Sequence, residues 1–391
     1  MKLLIVGFGQ CGGRIADGFA RLNKRARGRR GLEIITGIYA VNTDAADLSG
    51  LYNIRADYQH RILIGGDKTR GHGVAKMSEA AADIAREDGD KIIDAIRSTK
   101  RFFETDAFLL IAGAAGGTGS GTLPVMIQRI KERYVDKPVY ALVILPFEHE
   151  EETEERTIYN TAVCLKSVYS VADAVFLTDN QRYVKKDISL RNNIAKINDM
   201  IIDPFYNLLS AGEEKKAKYI GTKMLDAGDI MHTLSGWTAV GHGKSLLPLI
   251  NLPFSVTRNF RKKSSETHKG IQAMDQAISE LSVHCDPKDS ASALYLLTAP
   301  SKEMNVELVK ELGDSLRSIA PEAIIRNGDY PRESGEINVV VILSRLNELE
   351  KVKQYYIKAS SVVAEIERKQ ESMADRPNAT EEVSKDIPTL L

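Results

Sequence analysis

Cysteine is scarce in this sequence and long apolar runs are missing, and each shortage excludes a class of protein. The three cysteines, Cys11, Cys164 and Cys285, are odd in number and far apart. They predict neither a disulfide framework nor a zinc site, and they favour a reducing cytoplasm. No apolar run approaches the roughly 20 residues of a membrane-spanning helix. Met1 leads directly into "KLLIVGFG", so we expect neither a signal peptide nor a direct membrane span.

Net charge is also missing, because 53 basic side chains balance 53 acidic ones. Chains that bind nucleic acid usually show a basic excess, so no nucleic-acid partner is expected. The local exception is "KRARGRR", Lys24 to Arg30. It predicts either a solvated loop between the first helix and the second strand or a contact with an anionic surface or polymer.

Short apolar segments alternate with helical periodicity through the first half of the chain. The segments lie at 2–7, 33–42, 60–65, 107–113, 139–146 and 173–178. This alternation predicts an α/β fold, with a doubly wound and mostly parallel sheet. The loops at the carboxyl ends of its strands should form one ligand crevice.

The second half of the sequence has a different pattern of predicted helices and strands. A long central helix is predicted over 187–212, bent or irregular at Pro204. A smaller α+β domain follows, with strands at 293–300, 322–328 and 336–344, and then another long helix. The polar, acidic end of the chain is predicted to be disordered. The predicted units are a first domain, a central helix, a second domain, a C-terminal helix and a disordered tail, at 1–188, 189–213, 214–345, 346–372 and 373–391.

A glycine loop without lysine stands between a predicted strand and a predicted helix. It reads "GAAGGTGSGT", Gly113 to Thr122. Such a loop can hold phosphates with backbone N–H groups and the helix N-terminus. A P-loop would add the lysine of G-K-[ST], which is missing here.

A second glycine loop, "GFGQCGG", follows the first strand. Gly7, Gly9 and Gly12 satisfy G-x-G-x-x-G, and Asp44 after the second strand suits a ribose acid. Taken alone, this predicts a Rossmann-type NAD-binding oxidoreductase, which remains the alternative hypothesis. Two glycine loops around one crevice favour a nucleotide with more phosphates.

The motifs together resemble the tubulin and FtsZ superfamily. "GAAGGTGSGT" is similar to its signature G-G-x-T-G-[ST]-G, and Gly9 to Gly12 resembles the tubulin version of the first loop. "AVNTDAADL", "GGDKTRGHG" and "LTDNQRYV" resemble FtsZ loops, in family order across most of residues 1–235. The mixture of traits most resembles the archaeal CetZ group.

This resemblance implies a tubulin/FtsZ fold whose first domain binds GTP or GDP. A Mg²⁺ ion held by phosphates and water, without protein ligands, would supply the charge that lysine gives elsewhere. Thr118 and Ser120 would add hydroxyl donors. The nucleotide-binding residues implied are Gly9, Gln10, Cys11, Gly12, Asn42, Asp44, Lys68, Thr69, Arg70, Gly113, Ala114, Ala115, Gly116, Gly117, Thr118, Gly119, Ser120, Gly121, Glu152, Arg156, Asn180, Ile194 and Asn198.

Several of these residues have specific implied roles. The loop with Lys68, Thr69 and Arg70 would cover the γ-phosphate, although the two cations are equally well read as surface charges. The family glutamate is Glu152, with Glu150 and Glu151 left open. The resemblance also implies that Asn180 contacts the ribose and that Asn198 pairs with the guanine edge. Ile194 stands where FtsZ has an aromatic residue that stacks on the base.

Catalytic acids are implied in "MLDAGDIMHTL". Asp226 and Asp229 are three apart and share one helix face. In the family such acids act on the nucleotide of the adjacent subunit, so the resemblance implies a polymerisation-dependent GTPase and a head-to-tail filament of this chain. Alternatively, Asp229 simply caps the helix. A family member that binds GTP without turnover is a further hypothesis, and both acids count against it.

The end of the chain, "KDIPTLL", resembles the peptide by which FtsZ docks to membrane-tethering partners. This implies a possible adaptor protein as partner, while folding back onto the body is the alternative. The residues concerned are Asp386, Ile387, Pro388, Leu390 and Leu391. A cytoplasmic role in cell shape or cell division is the resulting hypothesis.

Overall fold

A computed structural model describes residues 1–184, 190–247 and 259–361, without the side chains of 190–193 and 259–267. The strands are β1 (Leu3–Phe8), β2 (Ile35–Asn42), β3 (Arg61–Leu63), β4 (Ala107–Gly113), β5 (Val139–Leu145), β6 (Ala174–Asp179), β7 (Gly236–Leu246), β8 (Ser292–Ala299), β9 (Ile324–Pro331) and β10 (Glu336–Leu346). The helices are α1 (Gly9–Arg30), α2 (Ala45–Ser49), α3 (Gly66–Thr69), α4 (Ser78–Arg97), α5 (Gly117–Arg133), α6 (Glu148–Thr153), α7 (Glu155–Val171), α8 (Leu190–Ser210), α9 (Ala227–Thr233), α10 (Asn259–Ser279) and α11 (Val306–Ile319). A twelfth helix, α12, begins at residue 350 and is described to residue 361.

The described strands form one sheet in the order β3-β2-β1-β4-β5-β6-β7-β10-β8-β9. The strands from β3 to β7 pair in parallel, whereas β10 is antiparallel to both of its neighbours. All six strands expected in the first half of the chain are present. The prediction of a doubly wound, mostly parallel sheet is therefore confirmed.

Helices cover both faces of this sheet, so its strands are apolar on both sides. Along β1, Leu3 and Ile5 face a core with Phe19 of α1 and Phe205 of α8, whose rings meet edge to face with centroids 5.3 Å apart. Leu4 and Val6 face the opposite core, which is built with α4, α5 and α7. The alternation follows from the period of two along a strand.

The central helix α8 runs from the carboxyl ends of the parallel strands to their amino ends. Ile197 near its start lies at the carboxyl ends of the parallel strands. At its other end, Leu209 O accepts a hydrogen bond of 3.2 Å from the nitrogen of Met1, which precedes β1. The helix is continuous through Pro204, so the proline does not end it. No helix of the described residues is long and apolar enough to cross a membrane.

Strand β7 joins the two halves of the sheet, and the sequence analysis missed it. It pairs with β6 through Ala174 to Phe176 and with β10 over most of its length. Its glycines disguise it, because glycine weakens a strand pattern. They are required by close packing, since a Cβ on Gly241 would lie 1.9 Å from Ala277 O, and one on Gly243 would lie 1.8 Å from Ala273 O.

We expect Gly243→Ala to destabilise the protein by about 2–3 kcal/mol or more, because α10 must move away from β7 to admit the methyl group. Urea unfolding at equilibrium measures this change. Gly28→Ala is the matched control, because nothing lies within 4 Å of its added Cβ. That control should gain up to about 1 kcal/mol from helix propensity. Equal stability of the two variants would contradict the packing assigned to Gly243.

Two boundaries differ from the expectation. The basic segment Lys24 to Arg30 is the last part of α1 and not a loop. Its arginines complement the negative end of the helix dipole, and Gly31 ends the helix at φ +70°. The C-terminal helix begins at residue 350 and not at 346, because β10 continues to Leu346. The predicted tail, 373–391, lies outside the described residues.

Candidate functional site

A cavity of about 390 Å³ lies where the carboxyl ends of the parallel strands meet α8. Loops after β1, β2, β4, β5 and β6 contribute to it, which is the position expected for a ligand in a doubly wound sheet. The lining residues are Phe8, Gly9, Gln10, Cys11, Arg14, Asn42, Asp44, Asp47, Gly73, Lys76, Gly113, Ala115, Gly116, Gly117, Thr118, Gly119, Ile144, Leu145, Pro146, Phe147, Glu150, Asn180, Ile194, Ile197 and Asn198.

Two helix N-termini meet at the base of this cavity. Helix α5 begins directly after Gly116, which has no side chain to cap the first amides, and α1 begins at Gly9 with φ +68°. A Cβ on Gly9 would lie 3.0 Å from the nitrogen of Gly119, so the two loops touch. Free amides and two positive dipole ends make this base a site for an anion such as a phosphate group.

Two cations line the cavity, and the sequence analysis missed both. Arg14 follows the first glycine loop on α1, and Lys76 follows the glycines after α3. Lys76 Nζ forms an ion pair of 2.5 Å with Glu154. Within the described residues, Arg14 forms no ion pair. The positive charge that the lysine-free loop lacks is therefore present on neighbouring elements.

Polar groups on the β2 side are fixed by mutual hydrogen bonds. The Asp47 carboxylate accepts from Gln10 Nε2 at 2.7 Å and from Asn42 Nδ2 at 3.0 Å. The Asp44 carboxylate accepts from the backbone amides of Ala46 and Asp47 and so caps α2. Because these amides already hold Asp44, the structure does not favour it as the free ribose acid of an oxidoreductase.

The opposite wall carries the residues expected at the ribose and base. Asn180 follows β6, while Ile194 and Asn198 lie one turn apart on α8, with Ile197 beside them. The structure thus brings together the first loop, the β4 loop and the central helix, as the sequence analysis expected. An amide side chain here has both a donor and an acceptor for a base edge.

Asp226 and Asp229 lie at the start of α9, away from this cavity. Asp226 is the N-cap, and its Oδ1 accepts from the Asp229 amide at 2.8 Å. The carboxylate of Asp229 lies 3.7 Å from Arg326 Nε. The alternative interpretation, in which Asp229 caps the helix, holds in part: Asp226 is the N-cap, and Asp229 completes a capping box because its Oδ2 accepts from the Asp226 amide at 3.5 Å.

The strand directions place these acids at the amino ends of the parallel strands, opposite the cavity. Helix α9 leads directly into the amino end of β7, which runs parallel to β6 with Gly236 opposite Ala174. The cavity lies beyond the carboxyl ends of the same parallel strands. One subunit therefore presents the cavity at one end of the sheet and the two acids at the other.

Comparison with known proteins decides the family. Residues 2–186 match the tubulin/FtsZ family GTPase domain, and residues 187–361 match the C-terminal domain of tubulin-like CetZ. Tubulin-like protein CetZ1 of Haloferax volcanii is 30% identical over 385 residues, which covers 94% of each chain. This chain belongs to the CetZ group of the tubulin/FtsZ superfamily.

Solved CetZ structures have the same fold. The GDP-bound monomer of CetZ1 from Haloferax volcanii aligns with a TM-score of 0.77 and 29% identity, over 92% of this chain and 99% of that one. The GTPγS-bound protofilament of CetZ2 from the same organism aligns with a TM-score of 0.79 and 26% identity, over 94% and 100%. The comparisons do not support the NAD-binding alternative.

Several residues predicted from the CetZ and FtsZ resemblance lie outside the cavity lining. Lys68 forms an ion pair of 2.6 Å with Glu87, and the Thr69 hydroxyl donates to Thr43 O and Gly65 O. Arg70 is exposed, at φ +52°. The lining residues of this loop are instead Gly73 and Lys76.

The second half of the signature loop also serves packing. The Ser120 hydroxyl turns back onto the Gly116 and Gly117 carbonyls. A Cβ on Gly121 would lie 2.0 Å from Ser78 O, and one on Gly12 would lie 2.1 Å from Ile111 O. Without side chains, Gly121 lets α4 pack closely against α5, and Gly12 lets α1 pack closely against β4. Ala114 is buried and does not line the cavity.

The acidic segment after β5 contributes Glu150 and not Glu152. Glu150 lines the cavity and accepts from the Phe147 amide at 2.9 Å. Glu152 is exposed beside an adjacent depression. Arg156 also lies outside the lining, because its guanidinium is held by Lys76 O and Glu79. The resemblance alone left the choice among Glu150, Glu151 and Glu152 open.

Cys11 is a wall of the cavity and not a nucleophile. Burial, followed by the nearby Glu150 carboxylate, raises the pKa of its thiol to about 12. The thiol therefore stays protonated at neutral pH, and a thiolate is needed for nucleophilic attack.

Glu151, between the two glutamates just described, ties α6 to α12. It is buried, and its carboxylate accepts from Tyr355 Oη at 2.5 Å and from Lys358 Nζ at 3.0 Å. Burial alone would raise the pKa of Glu151, but the hydrogen bonds from Tyr355 and Lys358 and the charge of Lys351 hold it below its usual value. The C-terminal helix thus supports the segment that carries Glu150.

We expect Tyr355→Phe to lower stability at neutral pH by about 1.5–3 kcal/mol, the range for a hydrogen bond to a charged group. A depressed folded-state pKa contributes stability above the unfolded value of about 4.3, which is lost as pH falls through the lower folded value. The wild type should therefore lose more stability than the variant on acidification below about pH 4.3. Thermal unfolding at a series of pH values measures this. Parallel curves would show that Tyr355 does not stabilise the Glu151 carboxylate.

Proposed function

We propose that this protein is a GTP-dependent, self-assembling cytoskeletal GTPase that forms head-to-tail filaments. Each subunit would hydrolyse its GTP with Asp226 and Asp229 of the adjacent subunit. The observation that carries this proposal is the position of the cavity and the acids at opposite edges of one parallel sheet. A head-to-tail contact between identical copies does not close on itself and makes a linear polymer.

The cavity suits a guanine nucleotide from end to end. The N-termini of α1 and α5 would hold phosphates, with Arg14 and Lys76 as the nearby cations. Asn180 would contact the ribose and Asn198 the guanine edge, with Ile197 and Phe147 offering apolar surface. Proteins similar to this chain have been solved as a GDP-bound monomer and a GTPγS-bound protofilament, which supports this choice of ligand.

The acids would act by positioning water. In the filament they would face the γ-phosphate of the neighbour, where a carboxylate orients and polarises the attacking water. Asp226 is exposed, and both side chains project from one turn of α9. Capping by Asp226 fixes the backbone of Asp229, so the pair is held ready before contact with the next subunit.

Mg²⁺ fits this site as an ion held chiefly by phosphate and water. Among the described residues, no group of three or more His, Cys, Asp or Glu side chains could hold a metal. Asp44 and Asp47, whose carboxylates are among those that line the cavity, would hold the ion through its water ligands. When bound, it would neutralise phosphate charge during hydrolysis.

The cellular role follows as a proposal from the family. We infer a filament in the cytoplasm that acts in cell shape or cell division, and the three unpaired cysteines suit a reducing compartment. Docking of an adaptor protein by Asp386, Ile387, Pro388, Leu390 and Leu391 is part of this proposal, although these residues lie outside the described ones. Loss of adaptor binding, with assembly intact, after deletion of residues 384–391 tests that part.

Phosphate release measured against protein concentration tests the main proposal. Turnover per molecule should rise steeply above a threshold concentration at which sedimentation also detects polymer with GTP or GTPγS. With GDP, little polymer should sediment. Turnover per molecule that is independent of concentration would show that one subunit carries the complete catalytic site and would refute the shared one.

A further inference from the structure

A second cavity, of about 430 Å³, lies beside the second half of α8 and is separate from the nucleotide cavity. It is a cleft between the last turns of α1, the second half of α8, and the strands β7 and β10. None of its lining residues belongs to the nucleotide cavity. We name it the basic cleft, after Arg25, Arg29, Arg30, Lys244 and Arg332.

Two arginines in the basic cleft share one carboxylate. Glu214 lies 2.8 Å from Arg30 Nη1 and 3.3 Å from Arg332 Nη2, and its side chain is only 2% exposed. The side chains of Arg30 and Arg332 are 10% and 7% exposed. One buried positive charge therefore lacks a counter-charge in this cluster, and such a charge is costly to bury.

Hydrogen bonding shows the same deficit. Arg332 Nη1 donates to Tyr219 O and Pro331 O. Its Nε is buried and has no hydrogen-bond partner within the described part of the chain, and its Nη2, although 3.3 Å from Glu214, forms no hydrogen bond there either. Burial and the charge of Arg30 lower the pKa of Arg332 to about 10, so it remains charged at neutral pH. A buried arginine with unmatched donors indicates a missing acceptor.

Two further cations stand at the mouth of the basic cleft. Arg29 and Lys244 are exposed and form no ion pair among the described residues. They come from different elements, α1 and β7, so they approach the cleft from two sides. Their charges, with the one left over from the buried pair, provide an attractive field for an anion with two or more negative charges.

The acidic side chains of the cleft are mostly neutralised already. Asp203 lies 3.6 Å from Arg25, and Glu333 forms an ion pair of 2.8 Å with Lys218. Glu336 accepts a hydrogen bond from Asn338 at 3.0 Å. Burial, followed by the charge of Lys244, lowers the pKa of His242 to about 4, so this imidazole is neutral at neutral pH. The excess of positive charge remains after every lining group is counted.

We propose that the basic cleft binds a small, multiply charged oxyanion of the phosphate class, separate from the nucleotide. Arginine is suited to phosphate oxygens, because its N–H groups form a planar fork. An anion here would contact α1 on one side and β7 on the other. It would therefore stabilise the docking of the first half of the chain against the second.

Pyrophosphate added to the GDP-saturated full-length protein tests this proposal, with ionic strength matched by chloride. Calorimetry should show a binding event, and the melting temperature should rise with pyrophosphate concentration. Arg29→Ala combined with Lys244→Ala should weaken binding at least tenfold, because both cations at the mouth are lost. The nucleotide cavity is intact in this variant, so the difference isolates the basic cleft.

Lys302→Ala combined with Lys310→Ala is the matched control. It removes two exposed lysines from other parts of the second half of the chain, and its pyrophosphate affinity should equal that of the wild type. Pyrophosphate affinity unchanged by loss of Arg29 and Lys244 would overturn the site. Equally tight binding of citrate would overturn its assignment to phosphate. Neither result would bear on GTP turnover.

Discussion

Gly116→Val is expected to abolish GTP binding, with an affinity loss of about 100-fold or more, in a protein that still folds. Gly116 lines the cavity and stands at the N-cap of α5 with φ −73° and ψ 167°, an extended conformation that valine adopts readily. Nothing lies within 4 Å of an added Cβ. The valine side chain would therefore fit without a clash with the protein, but it would occupy the space that the phosphates need.

Calorimetric titration with GDP measures the loss of affinity, and thermal unfolding without nucleotide checks the fold. Gly335→Val is the matched control, because its added Cβ also meets open space but away from the cavity. It should bind GDP normally. Gly121→Val gives the contrast, because its Cβ would lie 2.0 Å from Ser78 O. This variant should lose the packing of α4 against α5 and be strongly destabilised. Unchanged GDP affinity in Gly116→Val would refute the phosphate position.

The signature loop shows how far sequence reasoning reaches at this site. Its glycine spacing correctly predicted a strand, a tight loop and a helix N-terminus at one crevice. Spacing could not separate glycines that face the cavity, such as Gly116, from a packing glycine such as Gly121, because both read as small residues. That distinction depends on α4, whose Ser78 lies against the helix.

The missed cations have a similar cause. Arg14 and Lys76 stand on helices and loops outside the glycine motif, and a lone basic residue there has no sequence signature. Lys68 and Arg70 were chosen because they occupy the loop that resembles FtsZ, yet the hydrogen bonds of Thr69 turn this loop onto Thr43 and Gly65. Local backbone geometry, and not composition, decides which charge faces the cavity.

The fold was predictable wherever the apolar runs were uninterrupted. Strands β1, β4, β5 and β6 are buried on both faces and rich in apolar residues, so their segments stand out. Strand β7 was missed because Gly241 and Gly243 are needed for close packing against α10. That contact joins distant parts of the chain and has no local sequence signal. The basic end of α1 read as a loop for a related reason: Arg30 is supported by Glu214, far along the sequence.

Asp226→Asn is expected to bind GTP as the wild type does and to hydrolyse it about 100-fold more slowly, the lower range for loss of acid–base assistance. Asparagine caps a helix as well as aspartate does, so the hydrogen bond to the Asp229 amide is retained and only the charge is lost. Filaments of the variant should be longer-lived, because their GTP persists. Asp286→Asn, at another N-cap that accepts from the Lys288 amide, is the control and should keep full turnover.

Mixing two inactive variants then tests whether the site is shared. Gly116→Val has intact acids and no nucleotide, while Asp226→Asn has nucleotide and a defective acid. In a mixed filament, the acid end of the first variant meets the cavity of the second, and that interface is complete. Phosphate release should therefore recover on mixing, but in an equimolar mixture it should stay below about half of the wild-type rate per subunit, because only the Asp226→Asn subunits hold GTP. If Asp226 served the cavity of its own subunit, every subunit would remain defective and the mixture would stay as inactive as its components.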